Sequence, residues 1–208
     1  MRWQLAQWFE KRWWKRYLSE KSPDVYIAWK RKYWMDFLEK IDVHLKIEDR
    51  ILDAGCGPAG IFIALDQSVT AVDPLLAEYQ MLPHFMPANF QNVRFIQSTI
   101  ENYKSDTSND VIFCLNVINH VKHYDHALDN MVLGLKHGGT LVISIDCHNF
   151  SLPKWLFRFL PLDILHPHQY SLSEYESHIV NRGIRLLNKV KIKSGFLFDY
   201  YALVGEKA

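Results

Sequence analysis

With 208 residues, 49% of them hydrophobic, the chain is the size of one α/β domain with a full core and leaves no room for a second complete catalytic domain. Its 24 basic and 23 acidic side chains give a formal charge of +1, so no global field draws it to nucleic acid or an anionic membrane. Cys56, Cys114 and Cys147 are widely spaced within or beside apolar runs, which excludes a disulfide framework and a zinc spacing, and no metal is expected.

Residues 1–46 differ from the rest. They carry 11 basic and 6 acidic groups and six of the seven tryptophans. Two helices are predicted there. Over 3–18, Trp3, Ala6, Phe9, Trp13 and Tyr17 fall on one face and Lys11, Arg12, Lys15 and Arg16 on the other. Glu10 lies close to the aromatic face; a solvent position on a fraying helix is the preferred reading, approach to a cationic substrate the other. Ser22-Pro23 opens a second helix, in which Tyr26, Trp29, Tyr33, Phe37, Ile41 and Leu45 recur at helical spacing. The chain begins without a basic stretch leading into an apolar run, and no run of about 18 apolar residues follows, so neither a signal peptide nor a membrane span is expected. The cytoplasm is the default compartment.

From residue 47 to 208 short β-rich runs alternate with helical stretches, the pattern of a doubly wound, mostly parallel sheet covered on both faces. The predicted strands are 50–54, 68–73, 93–97, 110–116 and 139–146. An aromatic, proline-broken insert over 147–170 reads as a lid. Ser171-Leu-Ser-Glu174 looks like a capping box opening a helix that Gly183 closes. Runs 184–193 and 198–206, joined around Ser194-Gly195, are expected to pair antiparallel.

The chemistry is carried by Ile51-Leu-Asp-Ala-Gly-Cys-Gly-Pro-Ala-Gly60, a strand running into a glycine turn and then into an expected helix over 61–65. Gly55 and Gly57 lack the Cβ atoms that would hold a ligand off the backbone, and the following helix is expected to offer free amides. A second strand ends in Asp73, where a carboxylate can take both hydroxyls of a ribose. This much fits any nucleoside cofactor on a Rossmann-like sheet, but the spacing Asp53-x-Gly55-x-Gly57 is not the Gly-x-Gly-x-x-Gly of a pyrophosphate site.

With these residues the chain resembles the class I S-adenosylmethionine-dependent methyltransferases. The resemblance continues through Ala71-Val-Asp73, through Asn109 to Val121 and through Leu135 to Ser144, with the fifth strand ending at Asp146. It covers about residues 48–206. It implies a seven-stranded sheet with an antiparallel last strand, beneath an N-terminal helical cap formed by residues 1–46. The implied cofactor is S-adenosylmethionine. Gly55 and Gly57 would line its methionine part with Asp53 nearby, and Asp73 would bind the ribose. Thr99 stands where an aspartate commonly meets the adenine amino group, and Ile100 where a backbone amide meets the ring. Asn116 falls where the family approaches the methionine moiety and the substrate. Ala59 replaces the third glycine of the motif, though Gly60 follows at once.

Methyl transfer needs alignment more than a base, but a hydroxyl or ammonium acceptor gains from a nearby histidine. His166 and His168 flank Pro167 in the insert, point the same way in an extended chain and overhang the carboxyl edge. His148 lies at the start of the same stretch. His120, a common family residue after the fourth strand, often packs rather than reacts. A small-molecule acceptor is the first reading. The second is a lipid or quinone methyltransferase whose residues 1–20 contact a membrane surface, and the third a non-catalytic cofactor-binding module. Nucleic acid is not expected as a partner, since no RNA-binding module is recognisable.

Overall fold

The computed structural model describes residues 2–148, 170–195 and 198–208. Two helices lead, α1 (Arg2–Leu18) and α2 (Pro23–Ile41). Pro23 supplies the fixed φ of a first helical residue, and Asp42 ends α2 in the left-handed conformation at φ 56°. The alternating region yields β1 (Arg50–Ala54), β2 (Ser68–Val72), α3 (Leu76–Tyr79), β3 (Val93–Ile96), β4 (Asn109–Leu115), α4 (Tyr124–Leu133) and β5 (Leu135–His148). Then come α5 (Leu172–Val180), β6 (Ile184–Lys193) and β7 (Phe198–Lys207). The capping box forms as expected, Glu174 N–H donating to Ser171 Oγ at 3.3 Å and Ser171 N–H to Glu174 Oε2 at 2.7 Å.

The seven strands form one sheet in the order β3-β2-β1-β4-β5-β7-β6. The first five are parallel, and β7 runs antiparallel to both β5 and β6. Chain order reverses between β1 and β4, and that switch point is where an open α/β sheet leaves a crevice at its carboxyl edge.

Each face has its own core. Ile51, Ala71, Phe113, Val142, Ala202 and Val204 pack with Leu18 of α1 and with Tyr26, Trp34, Phe37 and Ile41 of α2. Leu52, Val72, Ile112, Cys114, Ile143 and Leu203 pack with Leu128 and Met131 of α4 and with Tyr175 and Ile179 of α5. The N-terminal helices therefore share one core with the sheet.

The aromatic face expected of α1 is rotated. Trp14, Tyr17 and Leu18 turn to the core, while Trp8, Phe9 and Trp13 are exposed. Aromatic residues stand on nearly every side of this helix, so spacing alone allowed more than one buried stripe, and the fit of Trp14 and Leu18 against the sheet decides it.

Candidate functional site

β1 runs into the glycine turn at the switch point. Gly55 has φ +77°, a region that glycine enters freely, and its N–H donates to Val72 O at 2.7 Å, folding the turn onto the end of β2. A Cβ at Gly55 would lie 2.4 Å from a methyl of Val117, so the missing side chain admits the loop after β4 rather than open space. Gly57 N–H donates to Asp73 Oδ2 at 3.0 Å, and Leu75 N–H to Asp73 Oδ1 at 2.8 Å. Asp73 is buried; desolvation above all, with the charge of Glu10, pushes its carboxyl up to about 7 against the pull of the Leu75 and Gly57 amides.

The helix expected over 61–65 is replaced by 3₁₀ turns at Gly57–Ala59 and Ile61–Ala64. Its amides are not open to a ligand. Phe62 N–H donates to Asp53 Oδ2 at 3.2 Å, and Ile63 N–H returns to Gly60 O. Asp53 thus staples the turn from beneath. It is fully enclosed, and desolvation, with a smaller contribution from Asp73, pushes its carboxyl up to about 7.

Asn116 follows β4 with φ 61°, uncommon for a residue other than glycine and of the kind that gathers at functional sites. It is exposed, and its N–H donates to Ser144 O at 3.0 Å. Beside it Ser144 Oγ lies 2.6 Å from the Tyr200 hydroxyl, and Tyr33 of α2 lies near the same hydroxyl. In the loop beyond, His120 is half-buried and Asn119 is buried, its Oδ1 without a partner among the described residues. At the end of β3, Thr99 is half-buried, its carbonyl accepting from the amides of Asn102 and Tyr103. Ile100 joins Leu52, Ala54, Val72 and Tyr103 along a narrow apolar cleft. Asp53, Gly55, Gly57, Asp73 and Asn116 are thus brought together at the switch point, with Thr99, Ile100 and His120 on flanking loops. His166, His168 and residues 149–169 of the insert expected as a lid over 147–170 lie outside the described residues, while Cys147 and His148 belong to β5.

Several site groups went unread in the sequence. The Trp14 ring comes within 3.8 Å of the place a Cβ would take on Gly57. Tyr79 donates its hydroxyl to Glu10 Oε1 at 3.2 Å, and Lys11 Nζ pairs with Glu78 Oε1 at 2.6 Å, so α1 is fastened to α3 directly above the glycine turn. Glu10 is exposed, as the preferred reading had it, and its carboxyl also accepts from Tyr79. Trp34 Nε1 donates to Ala59 O at 3.0 Å, anchoring α2 to the same turn. Trp34 was not in the stripe expected of α2, which held Trp29 instead; Trp34 is buried and Trp29 is exposed, and Tyr79 carried no local signal.

Among the described residues no group of three or more His, Cys, Asp or Glu is placed to hold a metal ion, and no helix is long and apolar enough to cross a membrane. A family model described as a methyltransferase domain matches residues 26–187. The ubiquinone biosynthesis O-methyltransferase of Rickettsia canadensis is 36% identical over 114 residues, which make up 51% of this chain and 48% of that protein, so the chain aligns with about half the length of this relative. The YcgJ protein of Bacillus subtilis superposes with a TM-score of 0.65 at 16% identity, over 84% of this chain and 97% of its own. The 1,6-didemethyltoxoflavin-N1-methyltransferase of Burkholderia thailandensis, solved with its substrate and S-adenosylhomocysteine bound, gives 0.65 at 14% identity over 98% and 87%. The chain belongs to the methyltransferase domain family and has the fold of the class I S-adenosylmethionine-dependent methyltransferases.

Proposed function

We propose that the chain transfers the methyl group of S-adenosylmethionine to a small-molecule acceptor. The observation that carries this reading is the pairing of the Gly55–Gly57 turn with the buried Asp73 carboxyl at the switch point of the sheet, in a chain of this family. Asp73 would take the ribose hydroxyls, and the Gly57 side of the turn would lie along the methionine part. The cofactor supplies an activated methyl that an acceptor lone pair attacks in line, the carbon–sulfur bond electrons leaving on sulfur. The protein's share is to align the acceptor and exclude water. Asn116 and the Ser144–Tyr200–Tyr33 hydroxyls stand where an acceptor would be oriented, and α1 with Trp14 covers the turn. Calorimetric titration with S-adenosylmethionine and, separately, with NADH is expected to show binding of the first alone. Binding of NADH alone, or of neither, would overturn the reading.

A second reading places the acceptor in or near a membrane, as a quinone-type lipid. It is favoured by the outer surface of the cap, where Trp8, Trp13 and Trp29 are exposed, the Arg12 guanidinium lies 4.8 Å over the Trp8 ring and Lys21 Nζ 3.9 Å over Tyr17. Indoles beside cationic side chains are the composition of helices lying in a bilayer interface. The wild-type protein is expected to float with vesicles containing anionic lipid, and a Trp8→Ser, Trp13→Ser variant to remain at the bottom of the gradient. A wild-type protein that fails to float would remove this reading.

A further inference from the structure

The mouth of the site holds more acceptor oxygens than the glycine turn accounts for. Tyr79 closes α3 and is 1% exposed, yet its hydroxyl, which donates to Glu10 Oε1 at 3.2 Å, also lies near the Asp73 carboxyl, and the charges of both acids oppose its ionisation. The Trp14 ring lies over Gly57, within 3.8 Å of the place a Cβ would take there. One turn of α1 thereby lies beside Gly57 and Asp73, with the Glu10 and Asp73 carboxyls both near the Tyr79 hydroxyl.

Donors are short there. A phenol carries a single proton and cannot serve two carboxyls at once. The other groups that face the pair do not help. From β1 and the turn come Asp53, a third acid, and Cys56, a thiol whose ionisation burial strongly opposes. From α1, Lys11, next to Glu10 in the chain, is held by Glu78 of α3. Although its side chain reaches the surface, desolvation on its inner side raises the pKa of Glu10, while the bond from Tyr79 pulls it down. A cluster of this kind is matched by a ligand edge with two adjacent hydroxyl donors, and the Gly57 turn with Asp73 marks the edge as that of a ribose.

We propose that Glu10 is a second ribose-binding carboxyl, which takes the vicinal diol of the cofactor together with Asp73, so that the bound cofactor fastens α1 over the site. This rests on the S-adenosylmethionine reading above. It accounts for a carboxylate among tryptophans on the cap, and for the docking of α1 through Glu10, Lys11 and Trp14 rather than through its more exposed aromatic residues.

A proton balance follows. Without ligand the Asp73 carboxyl titrates at about 7. Hydroxyl donors favour the ionised form and draw that value down. Binding near neutral pH therefore expels protons, and affinity falls as the pH is lowered through about 7. Neutralising Glu10 removes an acceptor of the diol and part of the proton release.

The test is isothermal titration of the full chain with S-adenosylhomocysteine, which carries the same ribose and does not turn over, between pH 6 and 8 in two buffers of different ionisation enthalpy. Glu10→Gln is expected to weaken binding about tenfold and to release fewer protons than the wild type. Its thermal midpoint without ligand should be unchanged. Hydrogen exchange should slow in α1 when the wild type binds, and less so in the variant. If Glu10→Gln binds as tightly as the wild type with the same proton release, or more tightly, the proposal is overturned while the cofactor reading stands. If the wild type does not bind the nucleoside, both fall.

Discussion

Replacing Asp73 by alanine is expected to weaken S-adenosylmethionine binding about a hundredfold, since two hydrogen bonds to a charged acceptor contribute on the order of 3 kcal/mol. The loss should be specific to ligand. Without its carboxylate the chain gives up bonds from Gly57 N–H at 3.0 Å and Leu75 N–H at 2.8 Å, each worth about 1 kcal/mol. It also loses a buried acid that the fold holds in an unfavourable place. The sign follows from the raised pKa. Asp73 in the folded chain binds its proton more tightly than an unfolded aspartate, so its favourable contribution is fully present below the ordinary carboxylate range and is lost as the pH rises through about 7. Asp73→Ala should therefore compare better with the wild type in thermal stability at pH 8 than at pH 5. Calorimetric titration checks the affinity and a melting series the stability. Unchanged affinity would mean that the ribose is bound elsewhere.

Gly60→Ala is expected to lower the thermal midpoint by about 5–15 °C, from a destabilisation on the order of 2–4 kcal/mol in a domain of this size. The reason is space, since φ −71° and ψ −176° suit any residue. A Cβ there would meet the Cys56 carbonyl oxygen at 2.4 Å and Asp53 Oδ2 at 2.5 Å. Neither can retreat cheaply. The carbonyl is part of the turn itself, and the carboxyl is buried and bonded to Phe62 N–H. Moving either shifts Gly57 away from Asp73, so cofactor binding should fall with stability. Differential scanning calorimetry settles the point, and a midpoint within about 2 °C of the wild type would show that the turn yields more easily than its contacts indicate.

The strands were legible in the sequence because each is an apolar, β-branched run closed by loop residues, and the hairpin order because β6 and β7 are separated only by a short turn. What escaped has physical causes. β5 begins at Leu135 rather than at the expected residue 139, because the ladder with β4 passes through an irregularity that pairs Asn109 with Leu135 and Val111 with Thr140. The apolar run Ile61–Leu65 suggested a helix, but Asp53 draws the Phe62 amide down and winds the segment into a 3₁₀ turn. The placement of Asp53, Gly55, Gly57 and Asp73 at the carboxyl edge was legible because they sit at strand ends with fixed spacing. Tyr79 and the true neighbours of Glu10 were not, since 69 residues of chain separate that pair and no periodicity links them.

The placement of β7 bears on how the molecule is made. β6 precedes it in the chain, yet β7 lies between β5 and β6 and is the strand through which β6 joins the sheet. On the ribosome β6 must therefore wait without a neighbour until β7 emerges, while the edge of β5 stays open. Arg185, Lys189, Lys191 and Lys193 alternate along β6, and a row of like charges hinders a lone strand from pairing with another nascent chain. Once β7 has inserted, Arg185 pairs with Glu206, Lys189 with Glu176 and Lys191 with Asp199, so the charges of the lone strand are neutralised in the finished sheet.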